Sequence, residues 1–142
     1  MGEASEGVVF PSLDDIVALN RVHIGKSGGD YTGRDNLHNR NSLEWVLDVI
    51  QYPPFGIYPT ISEKAAILAF TIIKKHVFFD GCKRTGMSVL EIFLDQNGFF
   101  FDATDDNIFT VARRLASTND KVYSFEQFEE WVRRHMNLQI PL

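Results

Sequence analysis

His76-Val77-Phe78-Phe79-Asp80-Gly81-Cys82-Lys83-Arg84 is the stretch on which the rest of the sequence turns. It places one imidazole, one carboxylate, one glycine and two cations between two segments of helical spacing. The second segment starts at about Gly81 or Cys82, so its first backbone N–H groups lack acceptors within the helix and carry the positive end of its dipole. Such a terminus suits an anion. Gly81 lets a ligand approach the backbone, Lys83 and Arg84 add charge, and Arg84 can grip two phosphate oxygens at once. Asp80 beside a polyphosphate is expected where a magnesium ion lies between the two. His76 is the group here that can take up a proton near neutral pH.

Upstream, Thr60 and Glu63 form a capping box, and Ile61, Ala65, Leu68 and Ile72 share one helical face. His76 is next in that series, which predicts a position at the edge of the buried stripe, with Phe78 turned inward. Downstream, a helix from Cys82 to about Asn97 carries Met87, Val89, Leu90, Ile92, Phe93 and Leu94 on nearly all sides, the mark of a central helix. Asn97-Gly98 is a good left-handed stop.

Further out, Ser12 with Asp14 and Asp15 opens a helix bearing Leu13, Ile16, Leu19 and Val22 as far as about Ile24. Residues 25–40 show no period and form a long loop. Asn41 with Glu44 opens a second helix, and Pro53, Pro54, Gly56 and Pro59 stop it, placing Tyr52, Phe55, Ile57 and Tyr58 on a loop. Thr104 opens a fifth helix with Ile108, Val111, Ala112 and Leu115. Ser124 and Gln127 box the sixth, with Phe128, Trp131, Val132 and His135 on one face. Phe99–Phe101 is expected to pair with Val8–Phe10. The expectation is a single all-α domain over 1–142, six helices around the one that begins at Cys82, with residues 1–7 loose.

Composition narrows the class. With 142 residues, 44% of them apolar, one core should bury roughly two-thirds of the unfolded surface. A net charge of -5 speaks against nucleic acid and anionic membranes as partners, which need a basic face. It also speaks against a helix-turn-helix regulator, for which no basic recognition helix is visible. A lone cysteine forms no internal disulfide, and neither a secretory leader nor an apolar run of about 18 residues is seen, so a cytoplasmic protein is expected. His23, His38 and His135 lack metal-ligand spacing and read as structural or surface groups.

His76, Phe78, Asp80, Gly81, Lys83, Arg84 and Thr85 match the H-x-F-x-D-G/A-N-K-R-T signature of the Fic/Doc superfamily at every position but the asparagine. Leu13–Leu19 resembles that family's opening helix, Gly33-Arg34-Asp35 its G-x-R-D loop, and Tyr58-Pro59 with Glu63-Lys64-Ala65-Ala66 its lead into the motif. Phe93-Leu94 to Gly98 resembles its F-L-x-x-N-G exit. Adenylyltransferases of the family usually continue the motif as G-N-G-R-x-x-R and move AMP from ATP. Here Lys83 and Met87 replace the glycine and the second arginine, which resembles the Doc, or death-on-curing, toxin branch. That branch binds ATP the other way round, phosphorylates elongation factor Tu and is silenced by a cognate antitoxin.

The resemblance implies a phosphoryl transferase using ATP and magnesium. His76 would be the general base on a target hydroxyl and Asp80 the magnesium-associated carboxylate. Gly81, Cys82 and Lys83 would offer backbone N–H groups to phosphate, and Lys83 and Arg84 would neutralise the transferred group. Tyr52–Pro59 is the candidate for the flap that aligns a target peptide by main-chain pairing. AMP transfer is the competing chemistry, and pairing of two copies is open.

Cys82 departs from the pattern. The family's asparagine offers an amide to phosphate or the metal site, whereas a thiol is a weak donor. Losing that contact is expected to cost about 2–4 kcal/mol of transition-state stabilisation. Weakened transfer follows, with a protein acting by binding alone as the limit. A thiol at a helix N-terminus beside Lys83 and Arg84 is also expected to have a lowered pKa, which would suit a nucleophile paired with His76 or a redox switch; a tolerated substitution is the plainer reading.

Overall fold

A computed structural model of the chain describes residues 7–140, the side chain of Phe55 excepted. The loose segment expected over residues 1–7 lies outside them, Gly7 apart. Six α-helices and one small sheet are found among the described residues: α1 Leu13–Ser27, α2 Arg40–Gln51, α3 Ile61–Lys74, α4 Cys82–Gln96, β1 Phe99–Phe101, α5 Asp105–Ser117, α6 Phe125–Arg134 and β2 Met136–Leu138. The expected all-α architecture is the one observed. No described helix is long and apolar enough to cross a membrane.

Most helix starts follow the local chemistry. Ser12 and Asp15 satisfy each other's N–H groups across the first turn of α1, and Ser124 and Gln127 do so at α6. Thr60 and Thr104 cap α3 and α5 through their hydroxyls. Such a cap answers one of the N–H groups left without a partner in the first turn. α1 runs past Ile24 to Ser27, because Gly28 rather than Gly25 takes the left-handed C-cap. α2 starts at Arg40, capped by Asn39 and not by Asn41. Its entry is pinned from outside, since the N–H groups of His38 and Asn39 both donate to Val77 O, at 2.8 and 3.0 Å. Glu44, expected in the cap, instead accepts from Arg40 Nε at 2.7 Å.

α3 lies at the centre. Every residue from Ser62 to Ile73 is buried apart from half-buried Glu63 and Phe70, and α3 packs on α2, α4, α5 and α6. α4, expected to be central, is its most extensive partner but keeps a solvent face with Glu91, Ile92, Asp95 and Gln96. Small residues let the two backbones close. A Cβ on Gly86 would stand 2.9 Å from Ile73 Cγ1 and 3.3 Å from Ala69 O. Two apolar clusters flank this pair, one under α5 and α6, the other under α1 and α2.

Two long-range expectations fail. β1 pairs antiparallel with β2, Phe100 opposite Asn137, and not with Val8–Phe10. The N-terminal segment is held by a side chain instead: Asn97 Oδ1 accepts from Val9 N–H at 2.8 Å and Asn97 Nδ2 donates to Val9 O at 2.9 Å. The Tyr52–Pro59 loop is not beside the motif. α2 begins next to Val77 and runs antiparallel to α3, whose 14 residues separate its two ends by about 21 Å. At that far end the buried Lys64 donates from Nζ to Tyr58 O at 2.6 Å. The segment that does pair with the motif is 36–39, through a Leu37–Phe78 bridge.

Candidate active site

His76 is not on the helical stripe that spacing predicted. α3 ends at Lys74 with Lys75 as its C-cap. His76 then takes a left-handed backbone, φ 47°, with its side chain exposed. His76 N–H points to Ile73 O at 3.5 Å and Val77 N–H donates to Ile72 O at 3.2 Å. That is the double closure of a Schellman stop, whose left-handed position is usually glycine. An imidazole there is a local cost accepted by the surrounding structure, a situation common at working sites. Phe78, 1% exposed, anchors the turn as predicted.

Three segments hold the loop that follows. Phe79 N–H donates to Asn36 O at 3.0 Å. The carbonyl of Asp80 accepts from Asn20 Nδ2 and from Asn36 Nδ2, each at 3.0 Å. Asn36 Nδ2 also reaches Asn20 Oδ1 at 2.9 Å, and Asn20 Nδ2 reaches Thr85 Oγ1 at 3.1 Å. Asn20, Asn36 and Thr85 are wholly buried. Spacing missed both asparagines; a polar residue on the apolar side of α1, one turn from Ile16 and Ile24, was the available signal for Asn20.

Gly81 is left-handed, φ 85°, and caps α4 without any side-chain bond. A Cβ there would lie 2.8 Å from Asn20 Nδ2 and 2.9 Å from Ile24 Cδ1. The glycine therefore lets α1 approach, where ligand access was expected. Its N–H is also taken, by Asp80 Oδ1 at 2.8 Å, so it is not an open phosphate donor. Asp80 Oδ2 accepts from Asp30 N–H at 3.0 Å. Each carboxylate oxygen has a further lone pair, and the group is exposed. Among the described residues the N–H groups of Cys82, Lys83 and Arg84 have no acceptor, and α4 presents them at its positive end.

The thiol of Cys82 turns inward. It donates to Phe78 O at 3.1 Å and accepts from Phe78 N–H at 3.4 Å. An asparagine amide has the same pair of capacities, so either side chain could brace the loop in this way. Burial pushes the Cys82 pKa up, more than Phe78 and Lys83 hold it down. This direction and the inward bonds to Phe78 both run against the expected low-pKa nucleophile or redox switch. Alkylation by iodoacetamide at pH 7 should be slower than for a free peptide cysteine and should accelerate above pH 9. Labelling at the free-cysteine rate or faster at pH 7 would refute this environment.

Asp80, Gly81, Cys82, Lys83 and Arg84 line one cleft of about 530 Å³ between α1, α4 and α5. His76 stands outside its lining. Lys83 and Arg84 are exposed at one end. Met87, Ile108, Phe109 and Ala112 form an apolar wall, with Glu91 and Asp105 beyond. Burial, then the charge of Asp105, raises the Glu91 pKa. His23, read from spacing as structural or surface, also lines the cleft, bonded through Nε2 to Ser88 Oγ at 2.7 Å. Burial, then Lys26 and Arg84, lowers its pKa, which favours the neutral ring.

A family model described as Fic/DOC family matches residues 10–94, more than half the chain. The chain belongs to the Fic/DOC family. No curated protein matches it. The matched stretch takes in α1 to α3, α4 but for its last two residues, and the whole motif, while the α5 wall of the cleft lies outside it. Fic/DOC proteins transfer nucleotide or phosphate groups to proteins. The donor set at the motif end of this Fic/DOC cleft fits such a group: three open N–H groups and two cations for phosphate oxygens, with the exposed carboxylate of Asp80 beside them. A lone carboxylate sharing its ion with substrate phosphates is how magnesium is commonly bound.

Proposed function

We propose that the chain is a Doc-like protein kinase that moves the γ-phosphoryl group of ATP to a hydroxyl of a target protein. The observation that carries this reading is the open N-terminus of α4, where three unpartnered N–H groups, Lys83, Arg84 and Asp80 face one cleft. Magnesium-ATP, when bound, supplies the phosphoryl group and partly neutralises its oxygens. The N–H groups of Cys82, Lys83 and Arg84 and the two side-chain cations hold the phosphates and take up charge as it spreads over the transferred group. Asp80 would hold the magnesium. His76, exposed and locked in its turn, accepts the hydroxyl proton of the target.

The apolar wall of Met87, Ile108 and Phe109 suits the nucleoside, and the cleft volume lies within the usual range for small-ligand sites. Lys83 in place of the second motif glycine and Met87 in place of the second arginine support phosphoryl over AMP transfer. Met87 is 4% exposed and gives the cleft an apolar surface where the other branch has a cation. An elongation factor Tu-like target, a cognate antitoxin and a cytoplasmic location complete the proposal. The inward thiol of Cys82 leaves its backbone N–H in place but offers phosphate and metal no amide, so the proposed transfer is weakened and not abolished.

The test supplies γ-labelled or α-labelled ATP with magnesium, a bacterial lysate and purified elongation factor Tu, with His76→Ala as control. Protein labelling from γ but not α, lost in the control, is expected. Labelling from α would make the chain an adenylyltransferase, and labelling from neither would leave it a binding protein.

A further inference from the structure

Asp80 is among the best residues for capping a helix, and the sequence would let it cap α4. With Asp80 as N-cap, its carbonyl would accept from Arg84 N–H and its carboxylate from Cys82 or Lys83 N–H. The anion site would then be filled by the protein's own oxygens. The structure avoids that arrangement by moving the cap one residue on, to Gly81. Two wholly buried amides, Asn20 Nδ2 from α1 and Asn36 Nδ2 from the loop before α2, converge on the Asp80 carbonyl and occupy both of its lone pairs. Meanwhile the carboxylate is drawn off to Asp30 N–H and Gly81 N–H.

We propose that Asn20 and Asn36 are positioning residues for phosphate binding: by holding the Asp80 carbonyl they prevent Asp80 from capping α4 and so keep the N–H groups of Cys82, Lys83 and Arg84 open. The inference rests on the cleft being a polyphosphate site. Asn36 is itself fixed for the task. Its backbone is left-handed, φ 59°, its Oδ1 accepts from Thr32 N–H at 2.9 Å, and its own carbonyl holds Phe79 N–H. Thr85, the other buried partner of Asn20, sits on the first turn of α4 and ties the clamp to the helix it regulates. Neither asparagine lines the cleft, so both act through Asp80.

The probe is inorganic pyrophosphate without metal, followed by the ¹⁵N–¹H resonances of Cys82, Lys83 and Arg84. In the wild-type protein these amides should shift saturably, and before pyrophosphate is added they should exchange with solvent fast for residues of an α-helix. Asn36→Ala and Asn20→Ala should each weaken pyrophosphate binding about tenfold, the order expected for losing one charge-assisted hydrogen bond. In an Asp80→Ala background the same substitutions should cost clearly less, because no carboxylate remains to take the N–H groups of Cys82 and Lys83 and only the freed carbonyl can reach Arg84 N–H. An equal loss in both backgrounds would show a merely structural role and overturn the inference. Slow amide exchange at 82–84 in the free wild-type protein would overturn it even if the variants failed to fold. Absence of pyrophosphate binding by the wild-type protein, with fast exchange at 82–84, would instead refute the polyphosphate reading of the cleft.

Discussion

Replacing His76 by glycine is expected to stabilise the fold by about 0.5–1 kcal/mol while lowering phosphoryl transfer by about 10²–10⁴-fold. The two effects come from one geometry. His76 occupies the left-handed position of a Schellman stop, φ 47°. A residue with a Cβ is strained there by about 1–2 kcal/mol, and glycine is not. The more flexible unfolded glycine chain returns about 0.5–1 kcal/mol of that gain. The exposed side chain makes no hydrogen bond among the described residues, so little native contact is lost with it. Urea denaturation read beside the γ-phosphate labelling assay checks both halves. A glycine variant less stable than wild type would mean the turn is not strained. A stable variant that still transfers phosphate would remove His76 as the base.

Gly81→Ala should be the most damaging single methyl in the motif. It meets two penalties together, a left-handed backbone at φ 85° and a Cβ within 2.8 Å of Asn20 Nδ2 and 2.9 Å of Ile24 Cδ1. The backbone term is about 1–2 kcal/mol and overpacking typically adds about 1–3 kcal/mol, so a loss of about 2–5 kcal/mol is expected from equilibrium denaturation. Because Asn20 is the group displaced, the Asp80 carbonyl loses one of its holders and nucleotide binding should fall with stability. Both components of the cost lie within the fold and neither involves ligand. A Gly81→Ala protein as stable as wild type but unable to bind ATP would support the original reading of Gly81 as a ligand-access glycine.

The legible part of the fold was local. Ser12 with Asp15, Ser124 with Gln127, Thr60 and Thr104 each act over three or four residues, and each starts its helix as spacing predicted. The same holds for the stop at Asn97-Gly98, where Gly98 is left-handed. Asn39 displaced Asn41 as the cap of α2 because Val77, almost forty residues away, takes the N–H groups of His38 and Asn39. His76 left its helical series because a Schellman stop ended α3 two residues earlier. Periodicity describes a helix and is silent on where tertiary contacts let it end.

In the candidate site, local spacing was enough to say which residues could do chemistry and in what order. An imidazole, a carboxylate, a glycine and two cations around a helix start are a local pattern, and Asp80 to Arg84 do line one cleft. What each of them faces was set by the packing of distant segments. Burial turned the Cys82 thiol to Phe78 and raised its pKa, α1 packed against Gly81, and the motif loop paired with residues 36–39 and not with Tyr52–Pro59. Asn20 and Asn36 meet at the Asp80 carbonyl from 60 and 44 residues away. Short-range patterns reflect backbone bonds within one turn, whereas desolvation and the pairing of distant polar groups exist only once separate segments have packed together.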